Sequence, residues 1–159
     1  GMQLPAFSLK SSLDQTVTPA SLKGRAFLFY FINLDCPCCM EANPSFRQLN
    51  QAFPGGVIGV ADGSIEKVKR WVKANEPGYE VLADEKQVLA KAFKAINGVY
   101  SAQWAKSGKM DKLNPGFSKK EMAAMLAFLA RENGAPVPDV KFDSAPDRST
   151  SGCVFSWAQ

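Results

Sequence analysis

The 159-residue sequence predicts an α/β fold: a mixed central sheet flanked by helices, in a three-layer sandwich. Three observations carry this. Ala26 to Ile32 is a continuous apolar run rich in aromatics, which fits a strand buried on both faces and covered by helices. Downstream, short apolar runs alternate with segments of helical periodicity, the pattern of an α/β sheet. Late in the chain, Val99 to Ala105 and Met110 to Leu113 flank Lys106-Ser107-Gly108-Lys109, a hairpin that makes the sheet mixed.

Each element has its own signal. Leu4 to Leu9 reads as an extended lead-in, and Thr16 to Leu22 as a short polar segment ending at a Lys23-Gly24 turn. After the aromatic strand, a helix is expected from about Cys36 to Phe53, bent or interrupted near Pro44. Val57 to Ala61 is a second buried strand. Ile65, Val68, Trp71 and Val72 recur at helical spacing behind a cap at Asp62-Gly63-Ser64. Glu80 to Ala83 is a short strand, and Val88, Leu89, Ala92, Phe93 and Ile96 mark another helix. Ser118 stands three residues before Glu121, a capping-box spacing, ahead of the stripe Met122, Met125, Leu126 and Leu129. Asn133-Gly134 ends that helix. Residues 1–134 form the domain. Residues 135–159, with three prolines and several Ser and Asp residues, form a C-terminal tail expected to drape over it in part.

Composition excludes several function classes. No apolar run approaches the ~20 residues that cross a bilayer, so no membrane insertion is expected. The net charge of +4 comes from dispersed lysines, and Lys67, Lys69, Arg70 and Lys73 read as a solvated helix face rather than a nucleic-acid site. The chain has no histidine, which removes the commonest general base and nitrogen metal ligand. No signal peptide opens the sequence, and Gly1 before Met2 reads as a cloning remnant. If Met2 is the native start the protein is expected in the cytoplasm. If an export signal has been trimmed, it is expected in the periplasm or outside the cell.

The chemistry points to cysteine. Three of four cysteines lie in the run Cys36-Pro37-Cys38-Cys39, directly after the buried strand and at a helix start. Cys36 and Cys39, at i and i+3, share one helix face and can close a small disulfide ring. A helix N-terminus carries about half a positive charge, and in such settings a cysteine pKa falls from ~8.5 to between ~3.5 and ~7.5. Cys36 is therefore the expected exposed nucleophile, and Cys39, one turn in, the buried resolving thiol. Pro37 suits the first helical turn. Cys38 is expected to be a bystander with an accessory role. Cys153, in the tail near Phe155 and Trp157, is read as a surface thiol outside the centre, against the alternative of a disulfide with Cys36 or Cys38. A zinc site lacks a second ligand pair, and no cofactor is expected.

These landmarks resemble the TlpA-like and AhpC/TSA-like redoxins of the thioredoxin superfamily. They are Leu4-Pro5-Ala6-Phe7-Ser8-Leu9, Ser21-Leu22-Lys23-Gly24-Arg25, the aromatic strand with its cysteine motif, Pro44, Tyr79 to Asp84 and Ser107-Gly108-Lys109. The resemblance spans roughly Leu4 to Glu132. It implies a thioredoxin-like domain and thiol–disulfide exchange with protein or small-molecule disulfides and a redox partner. Where family members usually carry Trp before the first cysteine, this chain has Asp35, whose carboxylate opposes thiolate formation. The helix acid common in the family falls on Ala42, with Glu41 one residue earlier as a candidate proton acceptor. The substrate-groove position, usually a cis-proline, falls on Val99 or Tyr100. An ordinary trans peptide is expected there, with Tyr100 lining the groove and Val99 packing at the strand start.

The resemblance leaves alternatives. One is a peroxiredoxin-like thiol peroxidase with Cys36 as peroxidatic cysteine. Peroxiredoxins place Thr or Ser three residues before that cysteine and Pro seven before, where this chain has Asn33 and Phe29. Another is a thiol module binding Cu(I) through Cys36, Cys38 and Cys39.

Overall fold

A computed structural model describes residues 2–159, except for the side chain of Cys38. Seven strands and four α-helices follow in order: β1 (Leu9–Lys10), β2 (Thr16–Val17), β3 (Phe27–Ile32), α1 (Pro37–Ala52), β4 (Val57–Ala61), α2 (Ile65–Asn75), β5 (Glu80–Ala83), α3 (Val88–Ala92), β6 (Ser101–Trp104), β7 (Met110–Asn114) and α4 (Lys119–Glu132). β1 and β2 pair as a small antiparallel ribbon. The other five form a mixed sheet in the order β5-β4-β3-β6-β7. β3 pairs parallel with β4 and antiparallel with β6, so the expected mixed sheet is present.

β3 is the central strand, and all six of its residues are buried. Strand alternation sends Leu28, Tyr30 and Ile32 into one core cluster and Phe27, Phe29 and Phe31 into the other. The first cluster takes in α1 and α4 through Phe46, Leu49, Met125 and Leu129. The second takes in α3 through Leu89 and Ala90, with Phe93 just past its end and Trp104 from β6. Among the described residues, no helix is long and apolar enough to cross a membrane.

Two expectations are corrected. Pro44 does not interrupt α1: the helix runs unbroken from Pro37 to Ala52. Proline removes the bond to the carbonyl four residues back. Here that carbonyl belongs to exposed Met40, and Pro44 is itself exposed, so water can take the lost bond's place. The helix expected through Ile96 stops at Ala92, because Lys94 turns left-handed at φ 56°.

The tail is packed on the domain. Phe142 and Ala145 are buried in the first cluster and Phe155 in the second, so the tail crosses the end of the sheet from one face to the other. Phe117 and Thr150 exchange both backbone hydrogen bonds at 2.9 Å, and the Gln48 amide donates to the Lys141 carbonyl at 2.9 Å.

Candidate functional site

The end of β3 delivers the chain to the cysteines through Asn33-Leu34-Asp35. Asp62, just after β4, holds that loop: its Oδ1 accepts the Leu34 N–H at 2.9 Å. Burial pushes the Asp62 carboxyl up from its usual 3.8, against the lowering effect of the Leu34 bond and of Lys67. Cys36 is the N-cap of α1, with extended backbone, and Pro37 takes the first helical position. Asp35 is 77% exposed and its carboxylate pairs with the Lys67 ammonium at 3.1 Å. The charge expected to oppose a Cys36 thiolate is thus solvated and offset by a cation.

Cys36 is not exposed as expected; it is 2% exposed, because the tail lies on it. Its sulfur is bonded to Cys153, 117 positions along the chain, with the two Cα atoms 5.7 Å apart. The reading of Cys153 as a thiol outside the centre is therefore corrected. Phe155, two residues on, is buried among the β3 phenylalanines and draws the tail over the cysteine end of the sheet. The Cys153 N–H also donates to Cys36 Sγ at 3.0 Å.

Cys39, one turn into α1, is fully buried and lies outside that bond. Its Sγ accepts the Asn33 N–H at 3.3 Å, and its carbonyl accepts the Tyr30 hydroxyl at 3.2 Å. Tyr30 stacks on Phe46 at 3.8 Å between ring centres, which places it in the core. Glu41 is exposed on the solvent side of the helix, while Cys39 and Ala42 face inward. The bystander expectation for Cys38 concerns a side chain outside the described residues.

Opposite the cysteines runs the segment Ile96 to Tyr100. No described peptide bond is cis, and Val99 adopts φ +70°. A left-handed conformation costs a β-branched residue about 1–2 kcal/mol. The Val99 N–H bond to the Phe31 carbonyl at 2.8 Å and full burial of its side chain hold it there. The pairing edge is Gly98, not Tyr100. The Gly98 N–H donates to the Cys153 carbonyl and the Gly98 carbonyl accepts the Gly152 N–H, both at 2.9 Å. Val99 touches the tail, since a Cβ at Gly152 would lie 3.2 Å from its Cγ2. The Tyr100 side chain packs instead with the second cluster.

Sequence reasoning missed three participants. A Cβ on Gly98 would lie 2.7 Å from Cys39 Sγ, so only glycine fits between β6 and the cysteine turn. The signal was there as Asn97-Gly98 immediately ahead of a strand. Tyr79 donates to Asn43 Oδ1 at 2.9 Å, inside the cluster that holds both cysteines. Burial pushes the Tyr79 phenol well above 10, and the neighbouring Cys39 sulfur acts in the same direction. No local pattern marks Asn43, and Tyr79 stands out only as the start of the Tyr79 to Asp84 landmark.

The AhpC/TSA family pattern matches residues 1–110. Peroxiredoxin Bcp of Bacillus subtilis (strain 168) is 29% identical over 97 residues, which are 58% of this chain and 62% of that protein. The chain thus spans less than two thirds of that relative. A conserved Geobacillus kaustophilus protein superposes with TM-score 0.73 at 23% identity, covering 99% of this chain and 91% of that one. A secreted Mycobacterium tuberculosis disulfide oxidoreductase superposes with TM-score 0.65 at 19% identity, covering 77% and 95%. These likenesses establish the fold, the thioredoxin-like α/β sandwich.

Proposed function

The chain belongs to the AhpC/TSA family of redoxins, and from that premise we propose that it is a thiol–disulfide oxidoreductase working through Cys36 and Cys39. The observation that carries this reading is Cys36 at the mouth of α1, joined through sulfur to a segment that is hydrogen-bonded to Gly98. That is the arrangement of a mixed disulfide with an extended peptide.

Reduced Cys36 gains thiolate character from the N-terminus of α1. The thiolate attacks one sulfur of a substrate disulfide, bonds to it, and expels the other as a thiolate. Cys39 then attacks Cys36 Sγ, forming Cys36–Cys39 and releasing the substrate as a dithiol. Burial of Cys39 beside Cys36 keeps that second step intramolecular. Substrates are disulfides of proteins or small molecules, and a separate redox partner reduces the resulting Cys36–Cys39 disulfide back to two thiols.

The likeness to a peroxiredoxin supports a second reading, in which Cys36 reduces peroxide and becomes a sulfenic acid that a neighbouring thiol resolves. Parallel assays on glutathione disulfide and hydrogen peroxide separate the two. Disulfide exchange should be the faster reaction and should fall on the order of 10³–10⁶-fold in Cys36→Ser, the scale for losing a nucleophile. Peroxide consumption outpacing exchange would replace the first reading with the second.

A further inference from the structure

We propose that residues 150–155 form a tethered substrate strand, and that Cys153 is a third redox thiol exchanging with Cys39 at the Cys36 sulfur. This rests on the exchange chemistry proposed above and adds an occupant for its groove.

Four features distinguish this segment from a tail that merely covers a surface. First, it is in antiparallel register with the strand edge ahead of β6. Gly152 N–H to Gly98 O and Gly98 N–H to Cys153 O are 2.9 Å, Phe155 N–H to Ile96 O is 2.8 Å, and Asn97 opposes Val154. Secondly, that register brings Cys153 to the Cys36 sulfur and aims its own N–H at it. Thirdly, the residue before Cys153 is a glycine, and a Cβ there would lie 3.1 Å from the Gly98 carbonyl carbon and oxygen. Close approach to the edge thus depends on residue 152. Fourthly, the segment is anchored beyond the cysteine. Phe155 is buried, the Trp157 indole donates to the Ala95 carbonyl at 3.0 Å, and the Trp157 N–H donates to Gln87 Oε1 at 3.1 Å. Just ahead of these anchors Cys153 and Val154 remain exposed. A thiol from outside can therefore approach the Cys153 side of a bond whose other end is buried.

The chemistry balances without an added oxidant. The Cys39 thiolate attacks Cys36 Sγ. The Cys36–Cys39 bond forms, the Cys36–Cys153 bond breaks, and Cys153 leaves as a thiolate that takes up a proton from water. The reverse step carries the disulfide from the buried pair to the surface. There an outside thiolate attacks Cys153 Sγ, forms a mixed disulfide with it and releases Cys36 as the thiolate, the leaving group that the helix N-terminus favours. While Cys153 is bonded to Cys36, the groove is closed to other peptides. A tether of this kind presents its thiol at millimolar effective concentration, far above a micromolar peptide.

The test equilibrates the full chain in glutathione buffers over a wide range of reduced-to-oxidised ratios. Samples are acid-quenched, alkylated and mapped by non-reducing mass spectrometry. Both Cys36–Cys153 and Cys36–Cys39 peptides are expected. Their mutual ratio should stay constant across buffers, because their interconversion moves no electrons to or from glutathione. Gly152→Val should shift that ratio about tenfold or more toward Cys36–Cys39 by loosening the tether. In Cys153→Ser, the rate with a disulfide-bearing peptide relative to glutathione disulfide should rise by a similar factor. A Cys36–Cys153 peptide missing at every buffer ratio would overturn the inference. So would an unchanged ratio in Gly152→Val together with unchanged peptide selectivity in Cys153→Ser. If wild type exchanges with outside disulfides in either case, the exchange reading survives and only the tethered strand is lost. If wild type and Cys153→Ser react with no disulfide at all, the exchange reading falls, and this inference with it.

Discussion

Among the described cysteines, Cys36 has two rivals for its sulfur, from regions of opposite character. Cys39 is carried by the first turn of α1, three residues away, and its approach is fixed by local helix geometry. Cys153 arrives on the tail across a separation of 117 residues, and its approach depends on every contact that docks the tail. In an unfolded chain the comparison is one-sided. Chain-entropy arithmetic gives about 2 kcal/mol for closing the short loop and about 5 kcal/mol for the long one at 25 °C. Folding must offset that difference of about 3 kcal/mol before Cys153 can compete. The buried side chain of Phe155, the Gly98 ladder and the Trp157 bonds are the contacts that can do so. The short-range thiol is therefore robust to tertiary damage, and the long-range thiol reports on it.

The largest effect should come from removing the tail's anchor. Phe155→Ala deletes a side chain 1% exposed among the β3 phenylalanines, a change that costs about 3–5 kcal/mol in a packed core. Hydrogen exchange should show the Gly152 and Phe155 amides losing protection by about a hundredfold or more, while the β3 amides lose much less. Equal losses in both would mean that tail and domain unfold as one unit, with the two thiols equally dependent on tertiary contacts.

A smaller perturbation acts on the other rival. Gly98→Ala adds a Cβ 2.7 Å from Cys39 Sγ while keeping the Gly98 N–H that bonds the Cys153 carbonyl. Overpacking of this kind costs about 1–3 kcal/mol. The melting temperature should fall, and the Cys36–Cys39 share of the oxidised protein should fall with it, to the advantage of Cys36–Cys153. A rise in the Cys36–Cys39 share would show that the alanine displaces the tail rather than the helix turn.

The smallest effect concerns the support beneath the α1 turn. Burial raises the Asp62 pKa above 3.8, so the folded protein binds more protons than the unfolded chain as pH rises from about that value to the folded-state pKa. Stability from this group therefore falls with rising pH through that window and is level above it. Asp62→Asn keeps an oxygen for the Leu34 N–H and removes the titration. In urea unfolding from about pH 4 to 7, the variant should gain stability relative to wild type as pH rises. A relative loss would mean that the charged carboxylate is net favourable, through Lys67 or the Leu34 bond.

Local patterns in the sequence carried most of the fold. Val57 to Ala61 and Glu80 to Ala83 are strands at their expected bounds, and Ser118 caps α4 through the Glu121 N–H at 3.1 Å. Such features depend on neighbours within a few residues. The site was legible to the same extent and no further. Cys36 at the helix mouth and Cys39 on its inner face follow from i, i+3 spacing and the preceding buried strand. The tail was misread because its order comes from distant partners. Thr150 pairs with Phe117, Gly152 with Gly98 and Phe155 with Ile96, and no periodicity within residues 135–159 encodes those pairings. Counting back from the Ser107-Gly108-Lys109 turn puts the groove position on Val99 or Tyr100. Left-handed Val99 and the backbone-pairing role of Gly98 made that count an unreliable guide to side-chain direction.

The bond between residues 36 and 153 also has a mechanical meaning. It encloses α1, β4, α2, β5, α3, β6, β7 and α4 in one covalent ring. Pulled from its two ends, the ring-closed chain can lengthen only through the residues outside that loop. About 400 Å of extended contour, at roughly 3.5 Å for each enclosed residue, stays out of reach of the force. Moving the disulfide to Cys36–Cys39 releases that length without changing the number of disulfides. A force-extension trace therefore distinguishes the two isomers by where the chain stops.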